Sequence, residues 1–146
     1  MTIAIGSDHA GYELKQQICD YFQQHGIEFT DYGTHSRDRV DYPDLGVQVA
    51  KQVIAGTHDT GIVICGTGIG ISISANKVKG ARAALCNSDY MAEMARKHNN
   101  ANILALGGRT TTIDYATRMI DIFLNTDFEG GRHANRVEKI HSLTNR

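Results

Sequence analysis

With one proline among 146 residues, this chain cannot build its turns on proline. Its cysteines number three, an odd count with no Cys-x-x-Cys spacing. That excludes a disulfide framework as the organising principle and speaks against a zinc ribbon. Neither sign of charge dominates. Fifteen lysines and arginines face sixteen acids, a net charge of −1, and 21% of residues are charged. This balance argues against broad binding to nucleic acid or to an anionic membrane surface. No apolar run approaches the ~18–20 residues that span a bilayer. The opening Met1-Thr2-Ile3-Ala4-Ile5 runs directly into Gly6-Ser7-Asp8-His9, without the basic stretch or cleavage site of a secretory signal. A cytoplasmic chain is therefore expected. The apolar share, 41%, is that of a globular protein. Fifteen glycines point to tight loops at strand-to-helix junctions.

No repeat, low-complexity segment or charge block divides the chain, and its length suits a single domain over residues 1–146. Short β-branched runs alternate with longer helical patterns. Ile3–Ile5 reads as a first strand. Tyr12–His25 reads as a helix with Leu14, Ile18, Tyr21 and Phe22 on one face, and Gly26 closes it. Ile27–Tyr32 reads as a second strand, followed by a long polar loop from Gly33 to Asp44. A helix is expected over Leu45–Ala55. Gly61–Cys65 is the most continuous apolar run and reads as a central strand buried on both faces. A glycine loop and a short helix follow, reaching about Asn76. The pattern continues with a strand over Ala81–Cys86 and a helix over Met91–His98. A fifth strand over Ile103–Leu106, a helix over Asp114–Leu124 and a last helix over Arg132–Ser142 complete it. Five βα units in order predict an α/β protein with a parallel sheet and helices on both faces. Ligands in such sheets sit outside the carboxyl ends of the strands.

The residues after the strands therefore matter most. They are Gly6-Ser7-Asp8-His9-Ala10-Gly11, then Cys65-Gly66-Thr67-Gly68-Ile69-Gly70-Ile71-Ser72, then Gly107-Gly108-Arg109. His98-Asn99-Asn100, after the fourth strand and helix, is expected at the same edge. Together they offer acids or bases, a thiol, a hydroxyl, a guanidinium and free backbone amides. The glycine loop has Ile71 where a dinucleotide fingerprint needs its third glycine, and it lacks the Gly-Lys-Ser/Thr of a P-loop. It can still present amides at a helix N-terminus, where negative charge is favoured. A thiolate at Cys65 facing those amides suits abstraction of a proton beside a carbonyl, with the amides holding the enediolate oxygen. Plainer readings stand beside this one. Cys65 also fits a buried strand-end residue, the loop a tight turn, His98 a complement to a helix dipole, and Asp8 a helix N-cap. Near the end, Arg132 and Arg136 are four apart and share a helix face. Two guanidiniums so placed make a phosphate clamp or a solvated basic face.

These motifs resemble those of the type B ribose-5-phosphate isomerase family, which also contains the galactose-6-phosphate isomerase subunits. The likeness runs through Gly6–Gly11, Asp41-Tyr42-Pro43, Cys65–Ser72, Ala75-Asn76-Lys77, Arg96-Lys97-His98-Asn99, Gly107-Gly108-Arg109 and Gly130-Gly131-Arg132-His133. It covers essentially the whole chain. The resemblance implies a three-layer α/β/α Rossmann-like fold with a five-stranded parallel sheet. It implies a homodimer or tetramer with sites shared between subunits, and aldose–ketose isomerisation of a sugar phosphate without metal or cofactor. By position, Cys65 would be the base and Thr67 its neighbour at the substrate oxygens, with the amides of Gly66, Gly68, Ile69 and Gly70 on the enediolate. His98 would open the furanose ring as acid, with Asp8 as its partner. Tyr42 would lie near the sugar and Asn99 on a hydroxyl, with His9, Arg109, Arg132 and Arg136 on the phosphate. Arg132 and Arg136 are expected from the partner subunit, on a C-terminal helix (132–142) packed against it. One branch of the family uses a glutamate on the glycine loop instead of the cysteine. Ile71 stands at that position, which agrees with the thiol branch. Allose or galactose 6-phosphate remains an alternative substrate, and a non-catalytic sugar-phosphate sensor a further one.

Overall fold

The computed structural model describes residues 1–146. Five strands form one all-parallel sheet: β1 (Thr2–Ser7), β2 (Glu28–Asp31), β3 (Thr60–Cys65), β4 (Ala83–Leu85) and β5 (Ile103–Gly107), in the order β2-β1-β3-β5-β4. Registers such as Ile5↔Ile62 and Ile62↔Leu104 align the central three strands. The chain order reverses direction across β1 and β3, so the crevice of a doubly wound sheet opens beyond their carboxyl ends.

Six helices complete the chain: α1 (Tyr12–Gln24), α2 (Tyr42–Ile54), α3 (Ile69–Asn76), α4 (Asp89–Lys97), α5 (Ile113–Asn125) and α6 (Arg132–Thr144). Alternating strand residues face opposite sides, which sorts the core into two halves. Ile3, Ile5, Ile62, Ile64, Leu104 and Leu106 pack against α1, α4 and α5. Ala4, Val63, Cys65, Ile103 and Ala105 pack against α2 and α3. The result is the expected three-layer α/β/α arrangement. No helix is long and apolar enough to cross a membrane.

Most boundaries shift by one or two residues from the sequence expectation, and two of the differences are instructive. Helix α2 starts at Tyr42 rather than Leu45, because Pro43 sits in its first turn, where the missing N–H costs nothing. Strand β4 is only three residues long; it is an edge strand whose residues are all half-buried. Helix α6 starts at Arg132 as expected, runs two residues past Ser142 to Thr144, and is exposed along most of its length, His133 being its one buried residue.

Candidate active site

Strand β3 is buried throughout and ends at Cys65, which is 5% exposed. The chain then turns sharply into α3. Gly68 adopts φ +79°, a left-handed conformation, and a Cβ there would come within 2.8 Å of the Leu106 backbone. The turn folds the Gly68 N–H back to donate to Cys65 Sγ at 3.2 Å. Thr67 Oγ1 accepts the Ile69 N–H at 3.2 Å. The sulfur thus lies beside the first amides of α3, the positive end of that helix.

Strand β5 continues alongside. The Gly108 N–H donates to the Cys65 carbonyl at 2.7 Å, and the Arg109 N–H to the Gly66 carbonyl at 3.0 Å. These bonds lay the Arg109 guanidinium over Gly66, its Nη1 3.4 Å from where a Cβ would stand. On the far side the Tyr42 ring presses on Gly70, where a Cβ would approach it to 2.6 Å.

Strand β1 delivers Asp8 and His9. The Asp8 N–H donates to the Ile64 carbonyl at 3.1 Å, which sets this turn beside β3. Asp8 Oδ1 accepts the Ala10 and Gly11 N–H groups, both at 3.0 Å, and caps the short 3₁₀ turn His9–Gly11. His9 Nδ1 accepts the Val40 N–H at 3.3 Å, so a neutral ring carries its proton on Nε2. The 33–41 loop is tied back to β1 by Ser7 N–H to Gly33 O (2.6 Å) and Thr34 N–H to Ser7 O (2.7 Å).

His98 and Asn99 are not at this edge, which corrects the placement expected from sequence. Helix α4 runs antiparallel to the strands, so its end returns the chain to their amino side. The Asn102 carbonyl bonds the Gly61 N–H at the start of β3, and the Asn102 N–H bonds the Arg82 carbonyl just before β4. With β3 six residues long and a rise of about 3.3 Å per residue, roughly 17 Å separates the two edges. Helix α6 lies at the amino edge too: Arg82 Nη1 meets His141 Nε2 at 3.0 Å, and His133 stacks on His98. Within one chain, Asp8 and His98 therefore do not meet; the carboxylate caps a turn at one edge while the imidazole stacks at the other.

The charged side chains sort in the same way. Arg82 and Arg96 donate to backbone carbonyls, and Arg37 and Arg118 pair with carboxylates. Arg109 at the carboxyl edge, and Arg132 and Arg136 on α6, pair with no carboxylate of the chain. Arg39, beside Val40, pairs with no carboxylate either, and no local motif marks it. Burial pushes the Cys86 thiol up to about 11, and burial with Asp31 nearby does the same to Cys19. Those two are core residues, and Cys65 is the thiol at the strand ends. Glu129 and His133 also went unassigned. The turn at Gly130 and Gly131, both at positive φ, was visible in sequence, but what it brings together was not.

A thiol among amides moves a proton and steadies an oxyanion, and unpaired guanidiniums receive an anion. Such an edge belongs to an α/β enzyme for small anionic molecules. The profile of the Ribose/Galactose Isomerase family matches residues 3–140, and the chain belongs to that family. It is 46% identical over 144 residues to the ribose-5-phosphate isomerase B of Escherichia coli K12, covering 99% of this chain and 97% of that one. It is also 46% identical over 141 residues to a D-erythrulose-4-phosphate isomerase of Pectobacterium atrosepticum, covering 96% and 93%. The solved ribose-5-phosphate isomerase B of Clostridium thermocellum superposes with a TM-score of 0.97 at 55% identity, over 99% of this chain and 98% of that one.

Proposed function

We propose that this protein interconverts D-ribose 5-phosphate and D-ribulose 5-phosphate as a homodimer, with Cys65 as the base. The observation that carries the mechanism is the Cys65 sulfur held against the Gly68 amide at the mouth of the sheet crevice. In the open-chain aldose, the Cys65 thiolate takes the C2 proton. The C2–H electron pair becomes the C1–C2 double bond of a cis-enediolate, and the charge moves to O1. The amides from Gly66 to Gly70 and the Thr67 hydroxyl stabilise that oxygen. The O2 proton passes to O1, the thiol returns its proton to C1, and the ketose results. No net electrons leave the sugar.

The dimer is supported by what a single chain keeps apart. His98, Asn99, Arg132 and Arg136 stand at the amino edge, and a two-fold partner is the means of presenting them to Cys65. Apolar surface lies beside both edges. Ile69 and Ile73 share an exposed face of α3 next to the glycine loop, with Ile73 56% exposed, and Leu143 on α6 is 81% exposed. A second copy covers both. In the shared site the partner's His98 gives a proton to the ring oxygen as the C1–O4 bond breaks. Asp8 is the candidate to accept the proton leaving O1. His9, Arg109, the partner's Arg132 and the partner's Arg136 hold the phosphate, the partner's Asn99 takes a hydroxyl, and Tyr42 flanks the sugar. A cytoplasmic pentose phosphate enzyme fits this reading.

The Pectobacterium relative, equally similar, keeps chain length of the substrate an open variable of this scaffold. Incubating the protein with ribose 5-phosphate in D₂O tests the reading, following ketose and deuterium by NMR. Ketose carrying some solvent deuterium supports it, and a ranking of kcat/KM on four-, five- and six-carbon phosphates then fixes the preference. Absence of both ketose and exchange sinks the pentose reading, and turnover of no sugar phosphate favours a sensor.

A further inference from the structure

We propose that Glu129 and His133 are positioning residues that hold His98 in the orientation required for ring opening, an inference that rests on the isomerase reading above. Three observations bear on it. First, His133 is 5% exposed on a helix that is otherwise outside the core, and its neighbours Arg132 and Arg136 are exposed. Helix packing alone does not call for an imidazole there. Second, His133 lies flat on His98, with ring centroids 4.1 Å apart and planes within 9° of parallel. Third, a ring nitrogen of each histidine and a carboxylate oxygen of Glu129 all lie within 4.8 Å of one another.

The backbone explains how they meet. His98 ends α4, its N–H bonded to the Met94 carbonyl at 2.8 Å. The Glu129 N–H donates to the Lys97 carbonyl at 3.1 Å, which docks the segment before α6 onto the end of α4. The turn at Gly130 and Gly131 then drops His133 onto the imidazole, its N–H bonded to the Gly130 carbonyl at 3.0 Å. Burial first, then His98 and Arg132, hold the His133 ring below the usual histidine range, with Glu129 opposing them and Arg136 adding least. That direction favours the neutral ring, and the stacked geometry makes it a flat surface for its neighbour. A Glu129 carboxylate oxygen lies within 4.8 Å of a His98 ring nitrogen, near enough for a carboxylate to orient an imidazole and balance its charge when protonated. Two histidines and a glutamate are also a zinc donor set. Here, however, the rings are parallel, and in-plane lone pairs of stacked rings do not converge on one ion. The arrangement serves orientation.

The substrates separate this role from a structural one. Ribose 5-phosphate is a furanose that must open. Ribulose 5-phosphate has its O5 blocked by phosphate and forms no furanose. Exchange of its C1 hydrogen with D₂O needs the thiol base and enediolate stabilisation, but no ring acid. Glu129→Gln and His133→Ala are expected to slow kcat on ribose 5-phosphate about tenfold each. Their C1 exchange on ribulose 5-phosphate stays within about twofold of the wild type, because the proton-transfer group is untouched. His133→Phe, which keeps a flat ring, recovers most of the loss. Unchanged kcat in both Glu129→Gln and His133→Ala overturns the proposal. So does an equal fall in turnover and exchange, or a KM raised alike for both sugars, which would mark a disturbed phosphate site. A wild type that neither turns over nor exchanges topples the isomerase reading itself. An active wild type with indifferent variants sinks only this inference.

Discussion

The two edges of the sheet are built by different means. At the carboxyl edge, chemistry is held by backbone. The Gly68 amide of the glycine loop faces the thiol, carbonyls of Cys65 and Gly66 pin the β5 turn, and Asp8 caps its own turn. Such a surface has few rotamers to lose and suits the holding of a developing oxyanion. At the amino edge, long side chains do the work: Arg132 and Arg136 project from an exposed helix, and His98 rests on His133. That surface reaches outward and suits the grasping of a substrate held by someone else's loops. On the proposed reading, stabilisation of charge and delivery of charge are thus separated along a single strand length.

The comparison can be broken most severely at its rigid side. Cys65→Ala is expected to cut isomerisation about a thousandfold, the scale of losing a positioned base, while a phosphate-bearing analogue still binds. Steady-state kinetics and calorimetric titration check both halves. Wild-type turnover would remove the thiol from the mechanism.

At the reaching side the effect is smaller and different in kind. Arg132→Met or Arg136→Met is expected to raise KM about tenfold or more with kcat nearly kept, since a lost charge-assisted contact weakens ground and transition states alike. A fall in kcat with constant KM would place the reacting atoms, not the phosphate, at these arginines.

Mixing sharpens the comparison further. Cys65→Ala and His98→Asn homodimers, each inactive, are dissociated and reassociated together. Random pairing gives half heterodimers, each with one intact site of two, so about a quarter of wild-type activity returns. No recovery would mean that both residues serve the same site from the same chain.

The smallest expected effect concerns thiols remote from both edges. Cys19 and Cys86 have folded-state values raised to about 11. Between the ordinary thiol value and that point, the unfolded chain releases protons that the folded chain keeps. Stability contributed by these groups is therefore present below pH 9 and declines as pH climbs toward about 11. Denaturant midpoints measured across this range should fall less steeply in a Cys19→Ala/Cys86→Ala variant than in the wild type.

The sequence disclosed the elements better than their meeting places. Apolar spacing located α1, β3 and α5 to within a few residues, because each buries a regular face. The cluster around Cys65 was legible because strand, glycines and helix start are contiguous in the chain. The position of His98 was not. Its distance in sequence from a strand says nothing of which edge it reaches; the antiparallel return of α4 decides that. Glu129 and His133 escaped notice for a related reason. Their significance lies in a contact with α4 across some thirty residues of intervening chain, and no local period encodes it. Asp8 presented a third difficulty, since the same carboxylate that the resemblance assigns to chemistry is also a good cap, and within the chain the structure shows the cap.

The separation of His98 from Cys65 by the length of β3 has a consequence in mass action. On the proposed mechanism, a lone protomer holds a base without an acid and an anion clamp without a base. Specific activity is then no constant of the polypeptide. Below the dimer dissociation constant, the active species grows with the square of total chain, and dilution alone silences the catalyst.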